Sequence, residues 1–279
     1  RGTCQKLAVH RGMTNMTDAD RAPTSAEDAS LAREIAARYG YDVSTSVDTP
    51  VFALVREFKD PRDTYARALL GRECMRGVID VPVTPLNPDY SQEAINPRTG
   101  QRNLNEDLAS AWGYKLPPQP TAPSSASSVP ITDEVQKQME ECGKANNARL
   151  GLPPEGPLNA IETAGWEARE TDPAVQDAAK RWQDCMKPAG VIDLPADPFD
   201  MPSASVAPEG RSTPTARERE VAVLDVKCRQ EADYSGAILR ARAQGELVAI
   251  GRDTEGFEAA REEFRKYGEG IDQVIQELG

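Results

Sequence analysis

The sequence predicts a mainly α-helical protein: an irregular helical bundle with long proline-rich loops, a C-terminal helical hairpin and at most one short β-hairpin. Apolar residues recur at helical spacing behind residues that cap helices. The 22 prolines cluster between those stretches, where they separate helices. Alternation typical of strands is confined to residues 41–47 and 51–55, which predict only the short hairpin.

Capping residues indicate where four of the helices begin. A Ser, Thr or Asp side chain can cap a first turn, and proline fits the first helical position. Such signals stand at Ser25, Asp60-Pro61, Asp172-Pro173 and Thr213-Pro214. The second of these helices is expected to close near Gly77, the third to run to Cys185 and the last to continue to Ile250.

A heptad pattern follows the helix break at residues 251–253. Its apolar residues recur at alternating steps of three and four, which is typical of a helix packed along one side. They are Phe257, Ala260, Phe264, Tyr267, Ile271, Val274 and Leu278. This seam either packs on the preceding helix or the body of the protein, or it binds a protein partner or a second copy of the chain.

Composition divides the chain into three parts. Proline-rich loops are predicted at residues 81–100, 117–130 and 196–213, and the middle one is also rich in serine. We therefore expect an N-terminal helical region at 1–116, a linker at 117–130 and a C-terminal helical region at 131–279, which contains the long hairpin.

Five cysteines, Cys4, Cys74, Cys142, Cys185 and Cys228, are spread along the chain without a C-x-x-C pair. This spacing disfavours a zinc ribbon or a thioredoxin-type motif. Four of the five fall in or at the end of predicted helices, where disulfides can join two helices. We therefore expect an oxidising, extracytoplasmic compartment. With one thiol left over, about fifteen ways of forming two bridges remain.

Two segments of the chain are similar to each other. Residues 74–82 read C-M-R-G-V-I-D-V-P, and residues 185–195 read C-M-K-P-A-G-V-I-D-L-P. Each segment predicts a helix that ends at a cysteine, then a turn at glycine. An extended stretch follows, in which proline prevents further helix. We interpret this near-repeat as a packing element, in which Asp80 and Asp193 bond to local backbone.

The most distinctive motif is W-x-x-C-M at Trp182–Met186, followed about forty residues later by V-A-V-L-D-V-K-C at Val221–Cys228. Together with three further segments, it resembles a group of actinobacterial secreted proteins and lipoproteins. The further segments are Cys4 with residues 37–41, residues 108–118 and residues 142–145. The resemblance implies a mainly helical, exported protein, secreted or associated with the cell surface, and no particular chemistry.

The resemblance also implies a disulfide pairing. It pairs Cys185 with Cys228 and Cys4 with Cys142, and it leaves Cys74 free or intermolecular. The chain departs from the family pattern at Cys74, which is additional to the usual cysteines. The residue before Cys4 is Thr3, not the small residue expected ahead of a lipid-modified cysteine, so Cys4 is expected to be a bridge partner.

Several function classes are disfavoured by composition and by the motifs that the sequence lacks. Acidic residues outnumber basic residues by 45 to 33, which disfavours binding to nucleic acid or anionic membranes. No apolar run approaches the roughly 18–20 residues of a membrane-spanning helix. The sequence has one histidine, His10, and neither a G-x-S-x-G nor a phosphate-binding glycine motif. We predict no cofactor.

Two acidic groups are candidates for weak calcium binding: residues 17–20, and Asp193 with Asp197 and Asp200. Both lack the glycine and terminal glutamate of a twelve-residue calcium loop, so we predict no metal site.

These observations favour a non-catalytic, exported cell-envelope protein with an interaction or structural role. Self-association or partner binding through the C-terminal seam is expected. One alternative is an envelope hydrolase that uses two carboxylates in a cleft beside the 117–130 loop. Another is a lipoprotein that binds a small molecule in an enclosed apolar cavity.

Overall fold

A computed structural model describes residues 26–55, 61–83, 104–115, 131–154, 156–208, 210 and 213–279. Within these ranges the chain forms ten α-helices, two 3₁₀ turns and no strand, which confirms the predicted helical bundle. The helices are α1 (Ala26–Tyr39), α2 (Pro50–Leu54), α3 (Pro61–Cys74), α4 (Glu106–Trp112), α5 (Asp133–Leu150), α6 (Gly156–Thr171), α7 (Pro173–Met186), α8 (Ala216–Glu231), α9 (Tyr234–Arg252) and α10 (Thr254–Leu278). The predicted 117–130 linker lies outside the described residues.

Capping explains several of the observed helix starts. The carboxylate of Asp172 accepts hydrogen bonds from the amides of Ala174 and Val175, at 2.7 and 3.2 Å, and Pro173 opens α7 as predicted. Helix α8 begins slightly later than expected, because the hydroxyl of Thr215 accepts the capping bond from Glu218 at 3.0 Å.

The prediction of one helix from Thr213 to Ile250 is wrong. The chain breaks at Asp233, which adopts a left-handed conformation with φ of 51°. Aspartate tolerates this region better than most residues, and its carboxylate pairs with Arg240 at 2.6 Å. The turn ends α8 and begins α9, and buried residues of both helices, such as Val226 and Ile238, belong to one hydrophobic cluster.

The short β-hairpin is also wrong. Residues 41–47 form turns in which the carboxylate of Asp42 accepts bonds from the amide of Ser44 and the hydroxyl of Thr45, at 2.8 and 2.9 Å. The second expected strand is instead the helix α2, which begins at Pro50. Proline cannot donate a bond to a strand ladder but suits a first helical turn.

Helix α9 is the centre of the fold, and most of its residues are buried. Helix α6 crosses it closely because small residues meet at the crossing. A Cβ atom added to Gly245 would lie 2.5 Å from the carbonyl oxygen of Ala164 and 2.7 Å from the Cβ of Ala168. Real Cβ contacts are never so short, so the crossing requires glycine at this position.

Two disulfides connect helices that are distant in sequence. Cys185 on α7 bonds to Cys228 on α8, the pairing that the family resemblance implied. Cys142 on α5 bonds to Cys74 at the end of α3, with 5.8 Å between the Cα atoms. The expectation that Cys142 pairs with Cys4 and that Cys74 stays free is therefore corrected. The reason is tertiary, since α3 and α5 pack side by side. Cys4 lies outside the described residues.

The two copies of the near-repeat have a similar local structure. In each, a cysteine at the end of a helix is disulfide-bonded, and the next residue, Met75 or Met186, is buried. A glycine with positive φ follows, Gly77 at 83° and Gly190 at 59°. Both copies therefore anchor a helix end in the core.

The C-terminal seam packs on the body of the protein. Phe257, Ala260 and Phe264 join the core formed with α1, α2, α6 and α9. The next three, Tyr267, Ile271 and Val274, pack with Ala66, Leu70 and Leu150 of α3 and α5, and Leu278 lies partly buried at the edge. The first six seam residues are all at most 8% exposed. The expectation that this seam serves as an interaction surface is thus corrected, because the heptad pattern identifies an apolar side but not what covers it.

Candidate functional site

An open cleft of about 610 Å³ lies where α1, the turn after it, the α6–α7 junction and α9 meet. Its size is in the range of small-molecule sites. Its apolar lining residues are Ala29, Val43, Pro173, Ala174, Ala237 and Ala241. Its polar lining residues are Thr171, Asp172, Arg240 and Gln244.

The charged side chains of the cleft have structural partners. Asp172 accepts the two amides that cap α7, and Arg240 pairs with Asp233. Asp172 is the one carboxylate among the described lining residues, so the described part of the wall holds no pair of carboxylates of the kind that glycoside hydrolysis uses. The described lining offers apolar contact and hydrogen bonds to a ligand.

A second notable site is a buried ionic group around α9. Glu246 and Arg242 are both fully buried. One oxygen of Glu246 accepts a bond from the amide of Val51 at 3.0 Å, and the other lies 3.1 Å from the Arg242 guanidinium. The same guanidinium lies 3.6 Å from Glu162 on α6 and 3.9 Å from the ring centre of Trp166. Arg242 therefore has carboxylates on two helices and an aromatic face around it.

Burial controls the ionisation of this group. Removal from water raises the pKa of Glu246 to about 7, and the attraction of Arg242 offsets this only in part. Burial also lowers the pKa of Arg242. Neither residue was predicted from the sequence, in which the available signal was an Arg and a Glu four residues apart.

The distinctive Trp-Cys motif also has a physical explanation. The indole of Trp182 donates a hydrogen bond to the carboxylate of Asp225 at 2.7 Å. One turn further along both helices, Cys185 and Cys228 form their disulfide. The motif thus joins α7 to α8 through a buried hydrogen bond and a covalent bond. Its role is structural.

Three groups of Arg, Asp and Tyr can be recognised in the described parts of the chain. In each, an arginine pairs with the aspartate and a tyrosine hydroxyl donates to the same carboxylate. The groups are Arg67–Asp63–Tyr267, Arg169–Asp197–Tyr234 and Arg229–Asp225–Tyr114. Each connects segments far apart in sequence, so these polar groups fix the packing of helices.

Asp193 and Asp197, two of the predicted calcium candidates, are bound by other groups of the protein. Asp193 accepts bonds from the hydroxyl of Ser205, the hydroxyl of Ser203 and the amide of Ser205, and these bonds lower its pKa to about 2. Asp197 instead pairs with Arg169 at 2.6 Å. In the ranges that the structure covers, no cluster of His, Cys, Asp and Glu is arranged to hold a metal ion. Residues 17–20 and His10 lie outside those ranges.

No described helix combines the length and apolar character needed to cross a membrane. No protein-family model matches the chain, and neither a curated protein nor a solved structure matches it.

Proposed function

We propose that this chain is an exported, non-catalytic interaction protein of the cell envelope, related to the actinobacterial secreted proteins and lipoproteins that it resembles. The two disulfides carry the proposal. They join α3 to α5 and α7 to α8 across 68 and 43 residues of sequence. Such structural bridges persist in oxidising compartments and are rare in the cytosol of mesophiles.

The geometry also favours binding over chemistry. The cleft is lined by small apolar side chains, and its charged residues are held by a helix cap and an ion pair. The polar groups that are most buried, around Glu246 and Asp225, connect helices inside the core. Binding therefore uses the outer surface of the bundle, because the C-terminal seam is already covered.

The compartment is tested by trapping thiols in intact cells that produce the full chain. Cells are alkylated before lysis and fractionated without reductant, and each cysteine is assigned by mass spectrometry. We expect Cys74, Cys142, Cys185 and Cys228 to be labelled only after reduction, and the chain to be found outside the cytosol. Labelling of all four before reduction, with the chain in the cytosolic fraction, would contradict the proposal.

The interaction role is tested by placing photo-crosslinking side chains at exposed positions of α5 and α10 in intact cells. Met139 and Glu255 are suitable because their side chains are exposed. We expect a discrete crosslinked species from one of these two positions and not from the other. If neither position gives a crosslinked species, the proposed interaction role is contradicted.

The cleft favours a second candidate function, the binding of a small amphipathic molecule. Ala174 is exposed at its rim, so Ala174→Trp can fill the cleft without entering the core. A fluorescent probe with an apolar body and a polar head should bind the wild type and bind Ala174→Trp less. Ala145→Trp, on the exposed side of α5, is the matched control. Equal binding by all three proteins would exclude the cleft as the site.

A further inference from the structure

Helix α5 packs on the rest of the described bundle with only half of its length. In its second half, Leu150 packs into the core with α3 and α10, and the disulfide from Cys142 to Cys74 stands where this half begins. In its first half, residues 133–141, most side chains are exposed. The bundle therefore holds α5 by its C-terminal half and leaves the N-terminal half at the surface.

An apolar side of α5 continues from the docked half onto the exposed half. At 3.6 residues per turn, Val135 and Met139 fall on the same side of the helix as Cys142. Ile131, which precedes the capping Thr132, extends the same spacing of four residues. Ile131 is 71% exposed and Met139 is 44% exposed, and the hydrophobic clusters of the described core include neither of them nor Val135. We refer to Ile131, Val135 and Met139 as the exposed row.

The exposed row has acidic residues on both flanks. By the same helical geometry, Glu134 and Glu141 lie on one flank and Glu140 on the other, whereas Lys137 lies on the opposite side of the helix. Within the described parts of the chain, none of these three glutamates has an ion-pair partner. On α10, by contrast, two glutamates pair with Arg265. The negative charge beside the exposed row is therefore not compensated by neighbouring arginines or lysines.

We propose that residues 131–141 are the docking surface for an amphipathic helix of another protein, whose apolar side is flanked by lysine or arginine. The inference rests on the proposed interaction role, and it names the surface and the chemistry of the partner. Apolar side chains of the partner helix pack along the exposed row. Its basic side chains pair with the glutamates on the two flanks, as charged flanking residues do in paired helices.

The charge of the surface favours this partner over other occupants. If two copies of α5 paired through the exposed row, the glutamates of one copy would face those of the other, and like charges across an interface repel. An anionic membrane repels an acidic surface in the same way. The surface is also preformed, because the hydroxyl of Thr132 caps the helix by accepting a bond from the amide of Val135 at 3.3 Å. A preformed helix loses little conformational entropy on binding.

The test is the binding of a synthetic peptide to the purified, oxidised full chain. The peptide consists of leucine and lysine, is about four turns long and carries its leucines along one side of the helix. We expect it to bind and to shift the backbone amide signals of residues 131–141 in NMR spectra. A peptide with glutamate in place of each lysine should not bind. A scrambled leucine–lysine peptide should bind about tenfold more weakly.

The variant Ile131→Gln with Met139→Gln makes the exposed row polar without changing its charge. Both side chains are exposed, so the fold should be retained, which circular dichroism checks. Peptide binding should weaken about tenfold. Leu152→Gln is the matched control, because Leu152 is 70% exposed beyond the docked end of α5, and it should bind the peptide as the wild type does. Added salt should weaken binding to the wild type.

The proposal is overturned if the lysine peptide does not bind, if it shifts signals only outside residues 131–141, or if the glutamate peptide binds equally well. Unchanged binding by the double variant has the same meaning. Self-association of the chain alone that the double variant abolishes would assign the exposed row to a second copy and would also overturn it. These outcomes concern α5 only. A crosslink from Glu255 in cells would still support the interaction role, so the two failures are distinguishable.

Discussion

The close crossing of α6 and α9 makes Gly245→Ala a sensitive test of the packing. The new Cβ would lie 2.5 Å from the backbone oxygen of Ala164, so the obstacle is not a flexible side chain that can move aside. The two helices must separate, and their contacts in the central core must loosen with them.

The expected magnitude combines two opposing effects. Overpacking of a tight core costs about 1–3 kcal/mol. Alanine favours a helix over glycine by about 1 kcal/mol, which offsets part of this cost. We therefore expect Gly245→Ala to lower the free energy of unfolding by up to about 2 kcal/mol.

Gly143→Ala provides a matched control. Gly143 lies on the exposed side of α5, and a Cβ atom added there meets nothing within 4 Å. This variant should gain only the helix propensity, about 0.5–1 kcal/mol. The same substitution in two helices therefore changes stability in opposite directions.

The assay is urea unfolding of the oxidised protein, followed by far-ultraviolet circular dichroism. The midpoint should fall for Gly245→Ala and rise for Gly143→Ala, with unchanged slopes. If Gly245→Ala is as stable as Gly143→Ala, the helices do not cross as closely as described, and the argument from the glycine fails.

Three further changes test other parts of the structure. Phe264→Ala should lower the unfolding free energy by about 3–5 kcal/mol without changing the oligomeric state in sedimentation, because the seam is internal. A change in association with unchanged stability would contradict this. Trp182→Phe should cost about 1–3 kcal/mol in urea unfolding, since it leaves the buried Asp225 short of a donor; no loss would mean that the bond is unimportant. Replacing both Cys74 and Cys142 by serine should lower the free energy of unfolding by up to about 4 kcal/mol, because the bridge no longer restricts the unfolded chain. If the free energy of unfolding falls by less than it does for a serine substitution at an exposed position, the bridge is excluded.

Local signals in the sequence predicted much of the secondary structure. The caps at Asp172 and the prolines at helix starts act through neighbouring residues, so they are readable without tertiary information. The break at Asp233 was missed because left-handed aspartate is permitted rather than required by its neighbours. The hairpin was predicted wrongly because brief alternation in 41–55 is also compatible with a turn and a short helix.

The candidate site was much harder to predict from the sequence than the helices were. Arg242 and Glu246 have the spacing of an ordinary surface ion pair, and only the covering of α9 by α6 and residues 41–55 makes them buried. The cleft likewise combines residues from α1, α7 and α9 that share no pattern in the sequence.

By itself, the sequence determined the helical class, several helix starts and which side of the last helix is apolar. The tertiary structure alone decided that Cys74 bonds to Cys142, that the seam from Phe257 to Val274 packs inside the chain, and that Glu246 is removed from water. The division has a physical reason. Capping and periodicity depend on contacts within a few residues, whereas disulfide pairing and burial depend on which distant helices become neighbours.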